Sequence, residues 1–229
     1  MSSEAQTYVQ ALALGLDPAW RRRTDIERHD DGCRFGEART AGELDGVRSI
    51  SYSSIGLERG VDLLFWRMAP SVDVLESTAA GLLRAGLGQW LTVTYSFIGR
   101  IGPSQYVRKP TDQEQSLFAG ERSRYLVVYP FTKSTDWYLL SKEARQGVMN
   151  EHMRVGHEYP QIRQALAYSF GLDSQDFVVA YETDDLVAFG DLVRALRATE
   201  SRRSTVSDTP ILLGIHRPVD EILSLLGAE

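Results

Sequence analysis

Apolar positions along the chain follow a period of two, then a period near 3.6, then two again, and this order occurs twice. Residues 50–58 and VDLLFWRMA (61–69) read as two strands, divided by a hairpin-like turn at Glu58-Arg59-Gly60. Residues 70–86 place Val72, Val74, Leu75, Ala79, Leu82 and Leu83 at helical spacing behind Pro70, and QWLTVTYSFIG (89–99) is the next strand. In the second half RYLVVYPF (124–131) is a strand, and SKEARQGVMNEHMRVG (141–156) is a helix with Ser141 as its N-cap. Residues 159–169 predict a further helical piece, QDFVVAYE (175–182) a strand, and TPILLGI (209–215) a last strand. Between those two strands, DDLVAFGDLVRALRA (184–198) is an amphipathic helix with Leu186, Phe189, Leu192, Val193 and Leu196 on one face. Its aspartates lead and Arg194 and Arg197 close, as the helix dipole favours. Residues 1–45 are polar and weakly periodic, and predict an arm with one helix ahead of Asp17-Pro18.

VDLLFWRMA–helix–QWLTVTYSF thus matches QDFVVAYE–helix–TPILLGI in order. Two such units predict an α+β fold with two ferredoxin-like halves whose sheets can enclose an apolar cavity suited to a cofactor or small molecule. The expected organisation is an arm (1–45), an N-terminal half (46–110), a linker (111–123) within the polar tract 103–123, and a C-terminal half (124–229).

An apolar content of 43% and a charged content of 24% over 229 residues are those of an ordinary globular protein. A net charge of −6 argues against general nucleic-acid binding, which needs clustered Lys and Arg. Cys33 is the one cysteine, so no internal disulfide forms, and the chain suits a reducing compartment. With His29, His152, His157 and His216 scattered, no closed zinc site can be drawn. The N-terminus lacks the basic-then-apolar order of a secretory signal and no apolar run is long enough to span a bilayer, so a cytoplasmic location is expected.

Chemistry concentrates in the C-terminal half. His152 has Val148 four residues before it and Val155 three after, on a partly apolar helix face. Such a histidine either packs and hydrogen-bonds, or serves as axial ligand to haem iron, projecting into an apolar pocket with a partner to orient it. His157 points roughly 140° away and cannot share that role. If the strand continues through Pro130, Tyr129, Phe131 and Lys133 share one side. Tyr129 is either an amphipathic core residue or a phenol that gives an electron and a proton to an oxidised metal centre. Lys133 reads as solvated charge and Trp137 as core, with a cofactor wall as the alternative for Trp137. GLGQW and GRIGPSQ fit neither a dinucleotide fingerprint nor a P-loop, and no nucleophile elbow frames a serine. Asp173, Asp176, Glu182, Asp184 and Asp185 lack calcium-loop spacing and read as solvated turns and caps.

As a string, YPFTKSTDWYLLSKEARQGVMNEH (129–152) resembles the chlorite dismutase-like superfamily, and within it the coproheme decarboxylases, especially the actinobacterial ones. The resemblance runs on through residues 159–160, 170–186 and 209–214, and covers roughly 90–217. It implies two ferredoxin-like halves forming a dimeric α/β barrel, assembly as a homopentamer, and haem or coproheme (Fe-coproporphyrin III) in the C-terminal half. It places His152 at the proximal iron ligand, Tyr129 at the radical-forming tyrosine and Trp137 beside a propionate. Lys133 and Glu200 fall at the residues that hydrogen-bond around the proximal histidine. The implied activity is hydrogen peroxide-dependent decarboxylation of coproheme, both substrate and cofactor, to haem b. The alternatives are chlorite cleavage to chloride and dioxygen, or haem binding without turnover. Arg163 is either the distal catalytic group or faces away, leaving Gln164 or Ala165 at the distal face; one step of register decides it. Ser104, Gln105, Tyr106, Arg108 and Ser201 are candidate donors to the porphyrin carboxylates.

Overall fold

The structure is a computed structural model that describes residues 6–104, 106 and 120–228, and it divides into two units. One runs to Ile101 and takes up the chain again from Leu213; the other is Gly102–Leu212. The expected linker, 111–123, lies mostly outside the described residues.

In the first unit β1 (Tyr8–Leu16), α1 (Asp25–Leu44), β2 (Arg48–Glu58), β3 (Val61–Ala69), α2 (Val72–Arg84) and β4 (Leu91–Arg100) follow one another. The strands pair antiparallel in the order β4-β1-β3-β2, which is the ferredoxin-like arrangement. The described residues of the expected arm, 6–45, are therefore not an arm. They supply the strand between β3 and β4, with Leu12 opposite Phe65 on one side and Ser96 on the other. Strand β1 hides from a periodicity reading because both of its faces are buried: Val9, Ala11 and Ala13 on one, Leu12, Leu14 and Leu16 on the other. Helix α1 hides for the opposite reason, since Asp31, Gly32, Phe35 and Gly42 are its only buried residues. Its start is specified locally, by a capping box between Thr24 and Glu27. Leu12, Leu14, Trp20, Phe35, Leu63, Phe65, Leu82 and Leu87 fill the core under these helices.

The hairpin turn expected at Glu58-Arg59-Gly60 is present, with Gly60 at a φ of +72°. Gly15 on β1 lets that turn approach: a Cβ there would lie 2.3 Å from the Gly60 carbonyl oxygen.

The second unit begins with β5 (Tyr125–Lys133), the short α3 (Thr135–Leu139) and α4 (Lys142–His157). It continues with β6 (Arg163–Tyr168), β7 (Phe177–Thr183), α5 (Leu186–Arg197), a 3₁₀ turn at Glu200–Ser204 and β8 (Thr205–Ser207). The sheet is antiparallel in the order β6-β7-β5-β8. The helical piece expected over 159–169 is corrected to β6. RQALAY holds good helix formers, but pairing of all six residues with β7 overrides that preference. Ser141 caps α4 as expected, accepting from the Ala144 N–H, and Asp185 caps α5. Finally β9 (Leu212–His216) pairs with β2, and α6 (Val219–Leu226) buries Val219, Ile222, Leu223 and Leu226 in the first unit's core. The two sequence repeats are thus β3-α2-β4 and β7-α5-β9, and the chain runs β-α-β-β-α-β twice, an α+β fold. Among the described residues, no helix is long and apolar enough to cross a membrane.

Candidate functional site

Strand alternation in the second unit sorts the candidate residues onto two faces. Tyr129 stands opposite Val179, and Tyr181 opposite Gln164, so these share one face with Phe131. That face carries an apolar cluster in which Tyr129, Phe131, Val179 and Tyr181 pack with Phe189, Leu192 and Leu196 of α5. The Tyr129 ring stacks on Tyr181 with centroids 6.0 Å apart. Burial, the Tyr181 phenol and Asp208 hold the Tyr129 hydroxyl well above its ordinary pKa, against an opposing pull from Arg197. Tyr129 is therefore a protonated phenol at neutral pH.

Lys133 closes β5 where the pairing with β8 shifts register. It is not a solvated charge. Its Nζ donates to the Ser201 carbonyl at 2.9 Å and to Thr205 Oγ1 at 3.1 Å, and lies 4.8 Å over the ring of Trp137. Burial, and then Arg202, lower its pKa to about 8. Trp137 is buried in α3, whose first turn is capped by Ser134, and Tyr106 meets it edge-on at 6.4 Å.

His152 lies in α4, which packs against α5 and the Glu200–Ser204 turn. Its Nδ1 is 3.0 Å from Ser201 Oγ. Burial and the nearby Lys133 charge lower its pKa to about 4, so the ring is neutral. Glu200, the residue expected beside this imidazole, is corrected. Its exposed carboxylate pairs with Arg203 Nε at 3.5 Å. Its backbone N–H donates to Glu151 Oε2 at 2.9 Å, which ties the turn to α4. One step along a 3₁₀ turn rotates the side chain by about 120°, so Ser201 faces the helix and Glu200 faces water. Ser201 was expected only as a candidate donor to the porphyrin carboxylates; its meeting with His152 joins residues 49 positions apart.

Arg163, expected as a catalytic group, faces the other way. It stands opposite Glu182 on the face that Tyr129 does not share. Its guanidinium bonds Glu182 Oε2 at 3.0 Å, Ser123 Oγ at 2.8 Å and the Glu121 carbonyl at 2.7 Å. Glu182 is itself fully buried, with Arg122 at 3.4 Å, and so is no solvated turn residue. Ala165 accompanies Arg163 on that face. Gln164 alone of the three shares the face of Tyr129. Of the candidate carboxylate donors, Gln105 and Arg108 lie outside the described residues. Ser104 accepts from the Tyr106 N–H, and Ser201 is engaged by His152.

These residues fit one kind of metal group. Among the described residues, no three His, Cys, Asp or Glu side chains converge as a metal-binding cluster. A neutral imidazole engaged at Nδ1 offers Nε2 alone, which suits an iron already held by four porphyrin nitrogens. Trp137, under Lys133 and edge-on to Tyr106, offers aromatic surface for a porphyrin plane.

Solved structures share the fold. A mutant chlorite dismutase of Candidatus Nitrospira defluvii in complex with cyanide matches with a TM-score of 0.88 at 27% identity, covering 96% of this chain and 95% of that one. A second mutant of that enzyme gives 0.89 at 27% identity, covering 98% and 97%. These likenesses define the class of fold, the α+β fold of the chlorite dismutases. The chlorite dismutase family matches residues 30–217. A coproheme decarboxylase of Mycolicibacterium smegmatis is 31% identical over 182 residues, covering 79% of this chain and 77% of the relative. A chlorite dismutase of Ideonella dechloratans is 27% identical over 148 residues, covering 61% and 52%. The chain belongs to the chlorite dismutase family.

Proposed function

We propose that this protein is a coproheme decarboxylase, converting Fe-coproporphyrin III to haem b with hydrogen peroxide. The observation that carries this reading is the division of faces. A protonated, desolvated phenol, Tyr129, shares its face with the neutral Gln164, while Arg163, the candidate for a chlorite-cleaving arginine, is paired with the buried Glu182 on the opposite face. The 31% identity to a coproheme decarboxylase supports the same reading.

In this reading His152 holds the iron through Nε2, and Trp137 walls the porphyrin with Lys133 behind it. Bound coproheme, with hydrogen peroxide, supplies the oxidising equivalents. Each of the two reacting propionates would lose its carboxylate as carbon dioxide, giving up two electrons and a proton to become a vinyl group, while one peroxide per propionate would be reduced to water. Tyr129 is suited to pass those electrons singly because its phenol releases proton and electron together. Burial disfavours the phenolate and keeps water from the radical. The same reading takes the enzyme to be a homopentamer, which native mass spectrometry of the loaded protein tests.

The deciding experiment titrates the protein with Fe-coproporphyrin III, adds hydrogen peroxide and follows the porphyrin by mass spectrometry. Stepwise loss of two carbon dioxide units is expected. Tyr129→Phe is expected to bind the porphyrin and to lose about two orders of magnitude in rate, near 3 kcal/mol of barrier. Dioxygen release from chlorite with no loss of porphyrin mass would replace this reading with the chlorite dismutase one.

A further inference from the structure

Behind His152 lies a short chain of two hydroxyls, Ser201 and then Thr199. Thr199 Oγ1 donates to the Leu196 carbonyl at 2.7 Å. A carbonyl only accepts, so the one proton of Thr199 is committed there. Ser201 Oγ lies 3.4 Å from Thr199 Oγ1, and Thr199 can meet it only as an acceptor. That leaves Ser201 two arrangements: it donates to Thr199 and accepts from the Nδ1–H of His152 at 3.0 Å, which uses all three groups, or it donates to Nδ1 and leaves Thr199 Oγ1 without that proton. In the first arrangement the imidazole carries its hydrogen on Nδ1, which leaves the Nε2 lone pair bare. Thr199 and Ser201 are 5% and 3% exposed, so water has little access to reverse the order. The start of the turn is tied down twice: the Ser201 carbonyl accepts from Lys133 Nζ, and the Glu200 N–H donates to Glu151.

We propose that Ser201, backed by Thr199 and anchored by Lys133, is the positioning residue that sets the tautomer and ring orientation of His152. We further infer that it makes this imidazole a weak axial donor. A carboxylate at this position would draw the Nδ1 proton and give the ring imidazolate character; a hydroxyl already donating elsewhere draws it far less. The iron is thereby held with a higher reduction potential than a carboxylate partner would give. The tautomer part stands on the protein alone, whereas the potential rests on His152 being the iron ligand.

The test separates the two. In ¹⁵N-labelled protein without porphyrin, long-range ¹H–¹⁵N correlation of the His152 ring is expected to show the Nδ1–H form. Ser201→Thr, which keeps the hydroxyl, retains it; Ser201→Ala gives a mixture with the Nε2–H form. An Nε2–H ring in the unaltered protein would overturn the relay whatever the protein binds. In the porphyrin-loaded protein, Ser201→Asp is expected to lower the reduction potential and raise the ferrous iron–histidine stretching frequency, with Ser201→Ala moving neither that way. Unchanged values in Ser201→Asp would overturn the donor-strength inference. Separately, His152→Ala binding the porphyrin with unaltered affinity and spectrum would remove the ligand reading and leave the tautomer result standing.

Discussion

Lys133 keeps its charge in a place largely stripped of water, held by one carbonyl, one hydroxyl and the face of Trp137. Its folded pKa of about 8 lies below the 10.5 of a free lysine, so the folded state binds its proton more weakly than the unfolded chain does. The resulting cost to stability is complete below pH 8 and is released as pH rises from there toward 10.5. At 1.36 kcal/mol per unit it amounts to at most about 3 kcal/mol. The stability of the native protein relative to Lys133→Met should therefore rise with pH across that window in urea denaturation. A difference that stays flat would show that the ammonium is not desolvated. Tyr129, Lys133, Trp137 and His152 were legible as a group because one continuous tract carries them all. Ser201 was not, because a contact made by a turn after α5 leaves no spacing signal near His152. The family resemblance put Glu200 there, and the rotation of the 3₁₀ turn decided for its neighbour.

At the scale of elements, β6 is the instructive case. Reading residues 159–169 as helix left open which of Arg163, Gln164 and Ala165 meets the site, since a helix would turn each by about 100°. As a strand, the question reduces to parity, and Arg163 falls with Glu182 behind the sheet. Two consequences follow. Glu182→Gln removes the carboxylate between two buried or half-buried arginines and is expected to cost about 3–5 kcal/mol of stability, measured by urea denaturation. Arg163→Met should destabilise too, yet leave the decarboxylation rate per loaded molecule unchanged. A rate that collapsed while loading stayed normal would return Arg163 to the site. By contrast, the strong amphipathic pattern and flanking charges of α5 made it plain from the letters, and so did the Ser141 cap of α4.

For the whole chain, the decisive point is the role of the first residues. Because β1 lies between β3 and β4 and carries Leu12 and Leu14 into the core, it is the middle of a sheet and no appendage. Deleting residues 1–17 should abolish cooperative thermal unfolding of the first unit, followed by circular dichroism. An arm would instead be dispensable, with the melting temperature preserved. The sequence pattern gave no hint of this, since period-two alternation vanishes when both faces of a strand are covered, and α1 buries too little to register as amphipathic.

The letters alone determined the α+β class, the repeated strand–helix–strand order, the helix caps, and the tract that gathers a phenol, an ammonium, an indole and an imidazole. Each of these is written in local periodicity, short-range capping chemistry or contiguity. Tertiary structure alone decided which way Arg163 faces, that Glu182 is buried, that β1 is central, and that a serine rather than a glutamate meets His152. Those facts depend on strand pairing and on the approach of residues far apart in the chain, and neither leaves a mark in the spacing of neighbouring residues.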